Sequence, residues 1–117
     1  MAAEMPARVA AVDGAVVVDF PWTAAASAVA ALNAASSTLG SQLDARAGML
    51  GTLEDWEGTY RREFNGTHGR LTSTASGLKE SLATLASSIV TGAENANQQQ
   101  RVNNTLAEER EAEPAAS

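Results

Sequence analysis

The sequence predicts an all-α fold, a helix-turn-helix hairpin that dimerises into a four-helix bundle, preceded by a short β-ribbon or an extended N-terminal arm. Three observations carry this. Alanine fills about a fifth of the 117 positions while aromatic residues make up only 4%, a composition suited to closely packed helices rather than a bulky core. Prolines stand only at positions 6, 21 and 114, so two long stretches lack any helix breaker of that kind. Those stretches repeat leucine at helical spacing on either side of Trp56-Glu57-Gly58.

Residues 1–20 form the arm, partly disordered or a short hairpin. Val9 and Val12 precede Asp13-Gly14 and Val16 to Val18 follow it, and Asp-Gly between β-branched runs is a hairpin signal. A lone two-stranded hairpin is marginal in water, so this segment needs something to lie against. Pro21 then fits the first turn of a helix, where its missing N–H costs nothing.

The hairpin spans 21–107, with helices expected over about 22–57 and from 59 or 67 to 107. In the first, Val29, Leu32, Leu39, Leu43, Leu50 and Leu53 recur in steps that keep them on one stripe, ending at Trp56. Gly58 suits the left-handed position past a helix end, and Thr59 can cap the next helix; Asn65-Gly66-Thr67 offers a second turn. In the second helix Leu71, Leu78 and Leu85 lie seven apart, interleaved with Ala75, Leu82 and Ile89. Gly66, Gly69, Gly77 and Gly92 each cost up to about 1 kcal/mol there relative to alanine. After Gly92 the pattern fades into Asn95-Ala-Asn-Gln-Gln-Gln, and residues 108–117 read as a disordered acidic tail. A single helix pair with so few large side chains is thinly supported, and its alanine-rich second face gains by burial against another pair.

Little chemistry is available. There is no cysteine, hence no disulfide and no thiolate metal site. His68 has no second histidine to share a metal with, and reads as a turn or solvent-facing residue. Glu54, Asp55, Glu57 and Glu63 form a polar rim that Arg61 and Arg62 screen. No glycine-rich loop joins a strand to a helix, so phosphate binding has no support. A net charge of -6 argues against nucleic acid as a partner. No window is apolar enough for stable membrane insertion and no cleaved signal is recognisable, so a chain made in the cytoplasm is expected. The reading is non-enzymatic, without catalytic residues, cofactor or metal.

Three of the five aromatic residues, Trp56, Tyr60 and Phe64, gather where the chain reverses, either plugging the hairpin end or forming a recognition surface. Here the sequence resembles the WXG100 (ESAT-6-like) proteins of type VII secretion. The resemblance runs from about Trp22 to Ile89 and centres on Asp55-Trp-Glu-Gly-Thr-Tyr-Arg-Arg-Glu-Phe64. It implies a helical hairpin that dimerises antiparallel, as a homodimer or with a sister protein. It also implies signal-peptide-independent export by a secretion ATPase (an ESX-like system), with Trp56 and Gly58, next to Tyr60 and Phe64, forming half of a composite signal. Leu32, Leu39, Leu43, Leu50 and Leu53 are then expected to pack against Leu71, Leu78, Leu82, Leu85 and Ile89. The family's tail signal, Tyr-x-x-x-Asp/Glu, is absent, since Tyr60 is the only tyrosine and Val102 to Glu109 holds no aromatic residue. This leaves an alternative: an intracellular helical scaffold or chaperone that caps the helical head of a larger toxin-like effector.

Overall fold

The computed structural model describes residues 2–51 and 59–112, and of residues 50, 51 and 59–61 the backbone only. Two helices, α1 (Trp22–Gly51) and α2 (Thr59–Ala112), make up the hairpin, and there is no strand among the described residues. Their pairing is antiparallel: Phe20, just ahead of α1, lies against Gly92, Ser36 against Lys79, and Leu39 and Leu43 beside Leu71 and Ala75.

Pro21 is the residue immediately before α1. Its carbonyl accepts the first helical hydrogen bond from Ala25 N–H at 2.8 Å, while Trp22 N–H closes a tight reversal onto the Phe20 carbonyl at 2.9 Å. No later proline interrupts α1, and its alanines have the highest helix propensity.

α2 starts at Thr59, the first of the two expected positions, and runs unbroken through Asn65-Gly66-Thr67 and Gly69. The glycine cost there is therefore outweighed, and the second candidate turn is not one. The helix also continues through Glu108–Ala112, where an unstructured acidic tail was expected. It is 54 residues long against 30 for α1. Beyond Gly92 it outruns α1 by about 30 Å at 1.5 Å per residue.

The seam differs from the leucine heptad read in the sequence. The buried line on α2 is Ala86, Ala93, Gln100 and Ala107, seven apart and one residue C-terminal to the line of Leu71, Leu78 and Leu85. Ala86 lies in the stretch beside α1, Ala93 at the Phe20 junction, and Gln100 and Ala107 along the arm. Those three leucines sit on the shoulder of the seam, 49%, 50% and 51% exposed. Leu82 and Ile89 face inward and are half-buried. Helix backbones approach most closely where side chains are smallest, so alanine takes the contact line and leucine is displaced to the side. On α1 the buried positions are Ala25 and Val29, with Leu32, Leu39 and Leu43 half-buried. Among the described residues no large side chain is fully enclosed.

One polar atom on the seam is unmatched. Thr72 lies on the continuation of the buried alanine line, and its hydroxyl oxygen is buried without a hydrogen-bond partner. Thr72→Val keeps the shape and removes the stranded group. It is expected to stabilise the hairpin by about 1 kcal/mol, read as a rise in the thermal midpoint; an unchanged or lower midpoint counts against a stranded hydroxyl.

The arm is extended, with a single turn. Ala15 N–H donates to the Val12 carbonyl at 3.0 Å, and among the described residues Gly14 alone has positive φ, at 83°. A two-residue hairpin of the tightest kind needs positive φ at both central residues, and Asp13 does not supply it. The turn is of the kind that puts glycine third, and the legs do not zip into a ribbon.

Candidate functional site

The backbone groups that the legs do not give each other go to side-chain amides of α2. Asn97 accepts from Val9 N–H at 2.8 Å and donates to the Ala7 carbonyl at 2.9 Å. Asn104 accepts from Val12 N–H at 3.1 Å and donates to the Ala10 carbonyl at 2.9 Å. On the returning leg Gln100 accepts from Val18 N–H at 2.8 Å and donates to the Val16 carbonyl at 3.0 Å. Asn103 donates to the same Val16 carbonyl at 3.0 Å, and Gln100 also donates to Asn104 at 3.1 Å, tying the two legs together.

Each of the three amides thus takes a carbonyl and the N–H two residues further on. That is how a residue in a neighbouring parallel strand reads its partner. The side-chain amide offers one acceptor and a donor pair in a fixed plane, so one group can satisfy both backbone positions. Asn97 and Gln100 are only 3% and 4% exposed, and their polar ends are matched by the arm. On the outward side of the returning leg Val16 and Val17 are 67% and 57% exposed. The arm is held here by its backbone more than by its side chains.

Both ends of the arm are pinned as well. Asn33 of α1 brackets Ala3, donating to its carbonyl at 2.7 Å and accepting from its N–H at 3.3 Å. Arg110 reaches the Gly14 carbonyl at the tip at 3.4 Å. At the junction with α1, Phe20 and Trp22 pack edge to face with ring centres 5.0 Å apart, and the Arg8 guanidinium lies 5.9 Å from the Trp22 ring centre. The Phe20 ring lies over Gly92, 3.8 Å from where a Cβ would stand, an ordinary van der Waals distance. The arm takes the place beside α2 that α1 vacates.

Of the residues singled out from the sequence, Leu53, Trp56 and Gly58 lie outside the described residues. Leu50 and Tyr60 have a described backbone only, in α1 and α2 respectively. Phe64 is 37% exposed and stacks on His68, one turn along α2, with ring centres 6.0 Å apart. Leu71 lies beside Leu39 and Leu43, where a depression of about 100 Å³ also touches Ala75.

Sequence reasoning missed Asn97, Gln100, Asn103 and Asn104, which it took for a fading pattern. A signal was present: 97, 100 and 104 are spaced by three and four, one helical face lined with amides. Such a face matches a partner made of peptide groups as an apolar face matches one made of side chains.

Among the described residues no group of three or more His, Asp or Glu is placed to hold a metal ion, and no helix is long and apolar enough to cross a membrane. Comparison with family models, with curated proteins and with solved structures finds no match.

Proposed function

We propose that this chain is a non-enzymatic, WXG100-like subunit of a type VII secretion system, acting through dimerisation with a second copy or a sister hairpin. The observation that carries this reading is the line of Leu71, Leu78 and Leu85, half-exposed beside a seam that encloses alanine and valine. Three leucines seven apart on one shoulder suit the knobs of a second helix pair. The fold supports the reading too, since two long antiparallel helices flank the Trp-x-Gly step.

Light scattering tests the dimer. Wild type is expected at twice the 12.1 kDa chain mass, and Leu71→Ser/Leu78→Ser/Leu85→Ser at the mass of one chain with its helix content kept. A wild-type monomer at all concentrations removes the homodimer, and failure to pair with its neighbouring hairpin removes the heterodimer. For the secretion role, Trp56→Ala is expected to stay helical by circular dichroism yet abolish co-export of the partner; unchanged export counts against it.

One observation favours the alternative, a helical chaperone for a larger effector that is never exported alone. The segment where the tail signal belongs is occupied, Asn103 and Asn104 being engaged with Val16 and Ala10. A large neighbouring gene product with a similar helical head, co-purifying with this chain but released before export, decides for that reading.

A further inference from the structure

The ladder on α2 reads backbone, and that has a consequence for what can occupy it. Asn97, Gln100 and Asn104 supply the carbonyl-and-amide pairing of a strand from a helix surface. Recognition through peptide groups is the basis of strand addition, where main-chain hydrogen bonds give affinity and side chains only adjust it. The resident strand runs into α1 through Pro21, where the reversal carries one bond from Trp22 N–H to the Phe20 carbonyl. It is also held to α1 by the two Asn33 bonds to Ala3 and the Arg8 contact with the Trp22 ring. Releasing the Trp22 bond with the side-chain holds on Ala3 and along the ladder lets the arm swing away without unwinding either helix, since none of these is a hydrogen bond within a helix. A short, tight hinge of this kind favours exchange of an element between copies, because the exchanged contacts are the same as the internal ones.

We propose that Asn97, Gln100 and Asn104 form a strand receptor, and that its occupant in trans is the N-terminal arm of a second copy of this chain. Each arm then bridges from its own α1 to the α2 end of its neighbour. The ladder lies past Gly92, whereas Leu71, Leu78 and Leu85 lie before it, so arm exchange is a separate contact from the helix pairing proposed above. It does not depend on that pairing.

The test keeps the full chain and disables only its own arm. Val9→Pro/Val12→Pro/Val18→Pro removes the three amide donors, and circular dichroism checks that the helices remain. A synthetic peptide with the wild-type sequence of residues 5–20 is expected to bind this chain one to one. Binding should shift the side-chain amide signals of Asn97 and Asn104 in nuclear magnetic resonance spectra. The peptide with the same three prolines is expected to bind at least tenfold more weakly. So is the wild-type peptide against a chain that also carries Asn97→Ala/Gln100→Ala/Asn104→Ala. No binding, or equal binding to the ladder-deficient chain, overturns the receptor.

The occupant is tested in the Leu71→Ser/Leu78→Ser/Leu85→Ser background, which removes the leucine line. Full-length copies labelled with donor dye at position 2 and others labelled with acceptor at position 108 are mixed. Energy transfer between copies that vanishes with the three prolines supports exchange. Its absence, with peptide binding intact, overturns the second copy as occupant.

Discussion

Ala86→Leu and Ala93→Leu are each expected to lower the melting midpoint by about 10 °C, and together by about 20 °C. Both alanines are fully enclosed, at 0% exposure, and Ala93 follows Gly92, over which the Phe20 ring lies. Three extra carbons have no space there, and overpacking of a tight contact costs about 1–3 kcal/mol per site. A small domain loses roughly 4–8 °C per kcal/mol, and its whole stability is about 5–15 kcal/mol. Ala83→Leu, on the exposed side of α2, is the control and should melt within a few degrees of wild type. Thermal melts of the three variants decide the matter. If Ala86→Leu melts with Ala83→Leu, the alanine line is not the close contact.

Asn97→Asp is expected to release the Ala7–Val9 stretch of the arm at neutral pH and to let it dock again in acid. A carboxylate still accepts from Val9 N–H, but it cannot donate to the Ala7 carbonyl, which sits 2.9 Å from the amide nitrogen. It also places a charge at a position only 3% exposed. The charge desolvated at position 97, with the Ala7 carbonyl left without its donor, costs about 2–4 kcal/mol, more than the local hold of two hydrogen bonds. Protonation restores a donor. With the arm docked, burial and the Ala7 carbonyl both favour the neutral acid, so its pKa is held above the ordinary carboxyl value. Docking is therefore fully present below the ordinary carboxyl range and is lost as the pH rises through the raised value. Exchange protection of the Val9 amide is the measurement, with Asn97→Leu as the partner that has no titrating group. If both variants show the same pH response, the effect does not come from this position.

Much of the hairpin was legible because its signals are local. Pro21 marks the start of α1, and the proline-free stretches and leucine spacing give both rods. The register was legible only to within one residue. Leucine dominates a pattern read by hydrophobicity, yet beside α1 it is Ala86 that takes the contact, because helices approach where side chains are small. Asn65-Gly66 looked like a turn because local propensity is weak there, and the surrounding helix overrides it. The arm was read as a ribbon because Asp13-Gly14 is a hairpin dipeptide. The actual partner of its legs lies more than 80 residues away on α2, beyond any local window. The amide face went unread for the same reason, since its polarity has meaning only beside a strand. Trp56 and Gly58, which carry the family resemblance, lie outside the described residues, so that resemblance stands on the sequence and the hairpin.

The distance along the chain between arm and ladder sets an order of events during synthesis. The hydrogen bonds from arm to α2 join residues 82 to 96 positions apart. At about 5–20 residues per second, the arm leaves the ribosome roughly 5–18 s before its ladder is made. Through that interval Ala15-Val-Val-Val18 is a bare β-prone run in a crowded cell. Asp13 and Asp19 flank it on either side, and charges in those positions discourage pairing with other nascent strands. The two aspartates make no hydrogen bond to the ladder, so the charge they set beside this run is in place whether or not the arm has docked.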